Sequence, residues 1–470
     1  MIGRREFLKT AAMQAAAVDV ASAAPVERPN FLFMIADDLT FRGVRAMGNT
    51  EIQTPHIDSL MNRGCVFTHC FHQGSWSGAV CVPSRTMLNC GLTAFHAQKR
   101  FEEVPLWGET FGKAGYQTFL IGKWHLSKPS LSRAFQQTGP VSGGMFQSGP
   151  EAYNRPSPGN TWTPWDTSLK GQWLHTKEWA HAEQDGIRHS AAIWADGAIE
   201  HLQKIAHATE PFLMYVGFNS PHDPRQAPRD YVERYPANRI EVPPNYLPEH
   251  PFDQGDAKVR DELLAPFPRT RAAVQLHRSE YYAHITYMDA QIGRILEALE
   301  KSGKAANTYV ILTADHGLAV GQHGLMGKQN LYEHSVRMPY VIVGPGVPRK
   351  KIDALVYQHS TFATTCDLAG IPVPKSVEFP SLTGFIQGRT QPQNDAVFCW
   401  YRSFQRSVRT RDHKLIVYPE AGRTQLFDLA ADPWETRDLS SKPEHAALKA
   451  QLFDRLHKFQ RDLGDDLKLS

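Results

Sequence analysis

Four short apolar runs, each broken off by a polar cluster, constrain this chain more than any other feature. They are 30–36 ahead of Asp37 and Asp38, 118–121 ahead of Gly122, Lys123, Trp124 and His125, 212–218 ahead of Asn219, Ser220, Pro221 and His222, and 309–312 shortly before Asp315 and His316. Unbroken apolar runs of this length suit strands covered on both faces, the usual condition of a parallel sheet. Between them lie amphipathic stretches over 187–206 and 276–301; in the second, Tyr282, Ile285, Met288, Ile292 and Ile295 recur at helical spacing. Alternating strand and helix predicts an α/β fold, a large, mostly parallel sheet flanked by helices. Ligands of such sheets gather beyond the carboxyl ends of the strands, so the polar clusters are predicted to converge on one edge.

Two long segments interrupt the alternation. Residues 127–186 are rich in Gly, Pro, Ser and Trp, and residues 224–270 in Pro, with Tyr231, Tyr235 and Tyr246. Both leave the sheet just after a polar cluster, which makes them candidate walls of a cleft, or equally plain surface loops. Beyond 378 the pattern changes to short strand-like runs at 396–401, 406–410, 414–418 and 426–428, then a helix near 444–463; this predicts a smaller antiparallel α+β subdomain. At the other end, Arg4 and Arg5 precede a weakly apolar, Ala-rich stretch and small residues before Pro25. This has the form of a twin-arginine export signal. The expected organisation is therefore a leader over 1–24, a large domain over 25–377 and a subdomain over 378–470, in a periplasmic or extracellular bacterial protein. No later stretch approaches the roughly 18 apolar residues of a membrane span. A net charge of +3 on 470 residues argues against a nucleic-acid-coating protein. The cysteines, Cys65, Cys70, Cys81, Cys90, Cys366 and Cys399, are too few and scattered for a disulfide framework and lack zinc-type pairs.

The clusters have a chemistry. Adjacent Asp37 and Asp38 are costly to bury unless a cation compensates, and Asp315 and His316 add ligands; three carboxylates suit a hard divalent ion such as Ca²⁺ or Mg²⁺. Arg85, Lys123 and Lys328 add positive charge, and His125 and His222 are available for proton transfer. A cation with Lys, Arg and His around one pocket suits a tetrahedral oxyanion, which points to sulfate or phosphate ester chemistry without choosing between them. Cys81 precedes Pro83, a residue suited to a first helical turn, and Arg85 lies four residues on, so a helix starting here would carry both side chains on one face. A helix N-terminus attracts anions and favours the thiolate, so Cys81 is a candidate nucleophile, although such a cysteine is more often a buried apolar residue.

Cys81-Val82-Pro83-Ser84-Arg85 resembles the C-x-P-S-R core of the type I, formylglycine-dependent sulfatases of the alkaline phosphatase superfamily. The resemblance continues through R-P-N-F-L-F-M-I-A-D-D, G-K-W-H, S-P-H-D-P, T-A-D-H-G, H-G-L-M-G-K-Q-N-L-Y-E-H-S-V-R-M-P and Q-L-F-D-L-A-A-D-P-W-E, in this order over most of the chain. It implies an alkaline-phosphatase-like fold and a sulfuric ester hydrolase. Cys81 would be oxidised to formylglycine (3-oxoalanine) by a formylglycine-generating or anaerobic sulfatase-maturing enzyme. Asp37, Asp38, Asp315, His316 and the modified Cys81 would hold one Ca²⁺; the family often has Asn where His316 stands. Arg85 would fix the aldehyde hydrate, Lys123 and Lys328 would bind the sulfate, and His125 would assist the modified residue. His222 would contact the ester and, with Lys328, protonate the departing alcohol.

The family pattern usually continues to L-T-G-R, where this chain has Asn89, Cys90, Gly91 and Leu92. The converting machinery chiefly reads the Cys, Pro and Arg of the core, all present, so conversion of Cys81 is expected. The expected substrate is a sulfated sugar or polysaccharide fragment, with which Arg402, Arg406, Arg409 and Arg411 are compatible, as they are with a solvated strand edge. The alternatives are a phosphodiesterase or phosphonate monoester hydrolase of the same superfamily, and an inactive protein that binds sulfated glycans.

Overall fold

The computed structural model describes residues 28–144, 188–389 and 394–469. The predicted leader over 1–24 and most of the first interrupting segment lie outside them. The apolar runs become strands β1 (Asn30–Ala36), β4 (Gln117–Lys123), β6 (Phe212–Gly217) and β7 (Thr308–Ala314). With β2 (Cys65–Phe71), β5 (Gln137–Ser142), β8 (Arg337–Met338), β9 (Tyr340–Val343) and β10 (Lys350–Tyr357) they form a nine-stranded sheet in the order β10-β2-β9-β7-β1-β6-β4-β5, with β8 beside β2. The sheet is mixed: β9 is antiparallel to both its neighbours, while β7, β1, β6 and β4 are adjacent and mutually parallel. Every residue of β1, β6 and β7 is buried, which is why these strands read as unbroken apolar runs. Four adjacent parallel strands place their carboxyl ends, and hence the four polar clusters, on one edge.

The amphipathic stretches form helices Ser190–Lys204 and Arg271–Lys301, which pack on each other. The long helix starts at Thr270, whose side chain accepts from Ala273 N, and buries Tyr282, Ile285, Met288, Ile292 and Ile295. No described helix is long and apolar enough to cross a membrane.

A second sheet has the order β14-β13-β12-β11-β3, where β3 is Gly74–Ser75 and the others are β11 (Ala396–Tyr401), β12 (Gln405–Thr410), β13 (His413–Tyr418) and β14 (Arg423–Asp428). β11 to β14 pair antiparallel, followed by helix Ala446–Leu463. The edge strand β3 comes from the chain just before Cys81 and joins β11 in parallel, tying the second sheet to the chain that leads into Cys81. The arginine run of this sheet does not form a free basic edge. Arg406 pairs with Asp465 at 2.6 Å, Arg409 with Glu333 at 3.5 Å, Arg402 with Asp256 at 3.0 Å and Arg411 with Asp353 at 2.7 Å. The first two pairs are buried and join elements of the fold, one on each face of β12 because Arg406 and Arg409 are three residues apart, so the reading as an anionic-carbohydrate contact is corrected for these two, while Arg402 and Arg411 stay exposed. All six cysteines are free and buried.

Candidate active site

The helix Cys81–Cys90 begins at the cysteine itself and ends at Gly91, whose φ of 69° lets its N–H reach Met87 O at 2.8 Å. A Cβ at Gly91 would also lie 2.9 Å from Val377, so glycine is required by both backbone and packing. The departures from the family pattern all sit in this last turn and are buried: Asn89 donates to Arg85 O at 2.9 Å, and Cys90 and Leu92 join the core. They lie on the side of the helix end, away from the cleft that Cys81 lines.

Arg85, one turn after Cys81, is fully buried behind the site. Its Nε donates to Asp315 Oδ2 at 3.0 Å, and its Nη1 donates to Lys123 O at 2.8 Å and Tyr215 OH at 3.4 Å. One guanidinium thus spans the ends of β7, β4 and β6. Ser84 adds a second tie from the helix, donating to Asp315 O at 2.6 Å. Gly122 makes the turn into Lys123: its φ is 90°, and a Cβ there would fall 2.0 Å from Gly217 O across the β4–β6 pairing.

The adjacent aspartates diverge because Asp38 has a φ of 71°. Asp37 accepts from Lys123 Nζ through a short contact, and Asp38 accepts from Lys328 Nζ at 2.9 and 3.2 Å. The backbone N–H groups of Asp38 and His316 both donate to Asp315 Oδ1, at 3.2 and 3.0 Å, pinning the ends of β1 and β7 together. Burial alone would push the Asp315 carboxyl up, but His316, Arg85 and Lys123 outweigh it and hold the group well below the usual carboxylate range. Asp38 shows the opposite balance: burial, opposed by Lys328 and reinforced by Asp37, raises its carboxyl well above that range.

Asp37, Cys81, Asp315 and His316 each offer a ligand atom, and these atoms all lie within 4.8 Å of one another. His316 Nδ1 donates to Gly317 O at 3.0 Å, which turns Nε2 toward Asp38 Oδ1, 3.3 Å away, and Asp315 Oδ1, 3.6 Å away. Neither His316 Nε2 nor Asp37 Oδ1 has a hydrogen-bond partner. Buried carboxylates this close repel unless positive charge lies among them, so this donor set, with its two unpartnered atoms, fits a divalent cation. Asp38 lies at the rim of the group, with both oxygens shared with Lys328.

On the solvent side, Cys81 Sγ lies 3.2 Å from His125 Nδ1. Burial and the Lys123 ammonium push the His125 imidazole down to about 3, so at neutral pH the ring is uncharged and able to accept from the thiol. The cleft over them has a volume of about 440 Å³ and is lined by Cys81, His125, His222, Lys328, Arg260 and Asp261, among others. His222 Nδ1 donates to Asp223 O at 2.7 Å, which turns Nε2 toward Asp38 Oδ2 at 3.9 Å. Burial and Lys328 depress the His222 imidazole well below its ordinary value. For Lys328, burial is outweighed by Asp38 and Asp261, and the amine is held well above its ordinary value. Lys123 is completely buried beneath this surface, on Asp37.

All ten residues singled out in the sequence therefore converge on one edge, Lys123 and Arg85 beneath it and the rest at or near the cleft floor. Sequence reasoning missed Asp223, Arg260, Asp261, Gln329 and Tyr215. Asp223 and Gln329 stand inside motifs already quoted, S-P-H-D-P and G-K-Q-N, but Arg260 and Asp261 lie in the proline-rich segment with no local pattern around them. That segment reaches the cleft through Val259, Arg260 and Asp261, whereas Tyr231 stacks edge-on with Tyr287, Tyr235 is buried, and Tyr246 donates to Arg269 O. The tyrosines brace the segment and do not form its cleft wall.

Known proteins resemble this chain over most of its length. The sulfatase from Formosa agariphila is 29% identical, over 91% of this chain and 87% of its own length. The N-acetylglucosamine-6-O-sulfatase of Bacteroides thetaiotaomicron is 26% identical, over 94% and 88%. The solved structure of a phosphonate monoester hydrolase from Silicibacter pomeroyi superposes with a TM-score of 0.75 at 21% identity, covering 94% of this chain and 96% of that one, a likeness of fold. The C-terminal model of N-sulphoglucosamine sulphohydrolase matches residues 321–462. The sulfatase model matches residues 29–371, a span that contains every residue of the site just described, and the chain belongs to the sulfatase family of sulfuric ester hydrolases.

Proposed function

We propose that the protein releases inorganic sulfate from a sulfated sugar or polysaccharide fragment, after oxidation of Cys81 to formylglycine by a maturing enzyme and with one Ca²⁺ bound at the strand ends. The observation that carries this reading is the position of Cys81: first residue of a helix, 3.2 Å from His125, and in one ligand group with Asp37, Asp315 and His316. The sulfated-sugar substrate is supported by the name of the Bacteroides relative. The protein works outside the cytoplasm, in the periplasm or beyond, as the twin arginine suggests, with a catalytic domain over 25–377 and a C-terminal subdomain over 378–470.

Asp37, Asp38, Asp315 and His316 would hold the cation, with the modified Cys81 as a further ligand. The formylglycine hydrate supplies a nucleophilic hydroxyl and a second hydroxyl for sulfate release, and Ca²⁺ supplies positive charge to the reacting oxygens. The chain's own residues do the rest. Arg85 fixes the start of the helix to Asp315 and so orients residue 81. His125 holds a proton-accepting nitrogen against the same side chain. Lys123 balances Asp37 under the sulfate, and Lys328 with His222 faces the oxygen of the departing alcohol, which Lys328 as an ammonium is equipped to protonate. Water enters and the ester leaves as alcohol and sulfate.

Sulfate release by matured protein across a panel of sulfated saccharides tests the reading, with aryl phosphate diesters run alongside. Turnover of sulfate esters at rates well above those of the diesters is expected; preference for the diesters would reassign the chain to the phosphonate and phosphodiester branch of the fold. Metal dependence is tested without turnover. Ca²⁺ at about 100 times its Kd should stabilise the protein by about 2.7 kcal/mol, read as a rise in Tm that a chelator reverses. A Tm indifferent to Ca²⁺ and to other divalent ions would remove the metal from the site.

A further inference from the structure

In the wall of the cleft lies a charge arrangement to which the site description gives no role. Arg260 is about a quarter exposed, 27%, and its guanidinium grips two carboxylates that are themselves almost wholly buried, Asp223 and Asp261. Its Nη1 donates to Asp223 Oδ2, and its Nη2 donates to Asp223 Oδ1 at 3.1 Å and to Asp261 Oδ1. Each carboxylate stands beside a different side chain at the leaving-group end of the cleft. Asp223 supplies the carbonyl that accepts from His222 Nδ1 at 2.7 Å, and its Oδ1 lies 3.4 Å from the same nitrogen. Asp261 Oδ2 lies 3.8 Å from Lys328 Nζ and accepts from Gln329 Nε2 at 2.7 Å. Gln329 in turn accepts from the Lys328 backbone N–H at 3.0 Å and donates to Gly78 O at 2.9 Å, three residues before Cys81.

We propose, resting on the sulfatase reading above, that Arg260 is a positioning residue for the leaving-group half of the reaction: by joining Asp223 to Asp261 it fixes the spacing of His222 and Lys328 across the departing oxygen. The planar fork of an arginine is what the arrangement requires, because two carboxylates on separate segments must be met at once. A lysine ammonium keeps the charge without the two-sided geometry. The device also gives the proline-rich segment a role, since it brings Arg260 and Asp261 to an edge built by strands far away in sequence.

A misplaced pair matters most when the leaving alcohol is poor, because a good leaving group departs without assistance. The experiment is therefore a series of sulfate esters whose leaving groups run from acidic nitrophenols to a simple alkyl or sugar alcohol, assayed as kcat/KM for matured wild type, Arg260→Met, Arg260→Lys and Asp261→Asn. Arg260→Met should lose about 10²-fold on the poorest leaving groups and less than about threefold on the best. Arg260→Lys should keep most of that selective loss, and Asp261→Asn, which keeps one acceptor oxygen and turns an NH2 toward the other donor, should show the same slope. An equal loss along the whole series, or full rescue by lysine, overturns the positioning role. Absence of sulfate release by wild type on every ester would instead sink the parent reading, so the two failures are distinguishable.

Discussion

Cys81→Ala protein, co-expressed with the maturing enzyme, is expected to release sulfate on the order of 10⁴-fold or more slowly than matured wild type while keeping its fold. Residues that act as one chemical unit fail together when the nucleophile is removed, and what survives is the contribution of binding and charge alone. Here that remainder comes from Lys328, His222 and the strand-end carboxylates, none of which offers an alternative nucleophile in the place of residue 81. The fold should tolerate the change because the Cys81 sulfur contacts His125 at the cleft edge and is not gripped by the core. Mass spectrometry of the peptide containing residue 81 completes the test: co-expression with a maturing enzyme should convert the thiol despite Asn89, Cys90 and Leu92, because these lie beyond the Cys, Pro and Arg of the core. Activity of Cys81→Ala within about tenfold of wild type, or an untouched thiol in fully active protein, would remove the mechanism.

Arg85→Met should cost about 3–5 kcal/mol in unfolding free energy, the usual penalty for breaking a buried ion pair on one side. Met approximates the length of the arginine stem, so the loss reflects the guanidinium. Asp315 would keep only backbone donors from Asp38 and His316, and Lys123 O would lose its arginine donor. Chemical denaturation measures the change; a loss under about 1 kcal/mol would show that Arg85 does not hold the strand ends together. Ca²⁺ should recover part of the deficit by supplying the charge that Asp315 then lacks, which separates this position from an ordinary core substitution.

The parallel core was legible because strands buried on both faces leave unbroken apolar runs, and 30–36, 212–218 and the run from 309 did so. The site was legible for a related reason: side chains that must leave a buried strand at its carboxyl end sit next to it in sequence, so Asp37, Lys123, His222 and Asp315 carry their location with them. The arginines of β12 show the limit. Their charge was compatible with an anionic substrate or a solvated strand edge, yet Arg406 and Arg409 are buried because Asp465 and Glu333 come from elsewhere to meet them. Nothing near either arginine in sequence announces its partner.

By itself the sequence determined the strand-forming core, the ends of its central strands, the helix start at Cys81 and the set of residues that can carry ester chemistry, since each depends on neighbours within a few residues. Only the tertiary structure decided how those residues divide their work: Asp37 under Lys123, Asp38 under Lys328, Arg85 behind Asp315, and Arg260 between Asp223 and Asp261. Such pairings are set by which segments meet over long loops, and the energy of a buried charge depends on the partner it finds there and on the water it loses.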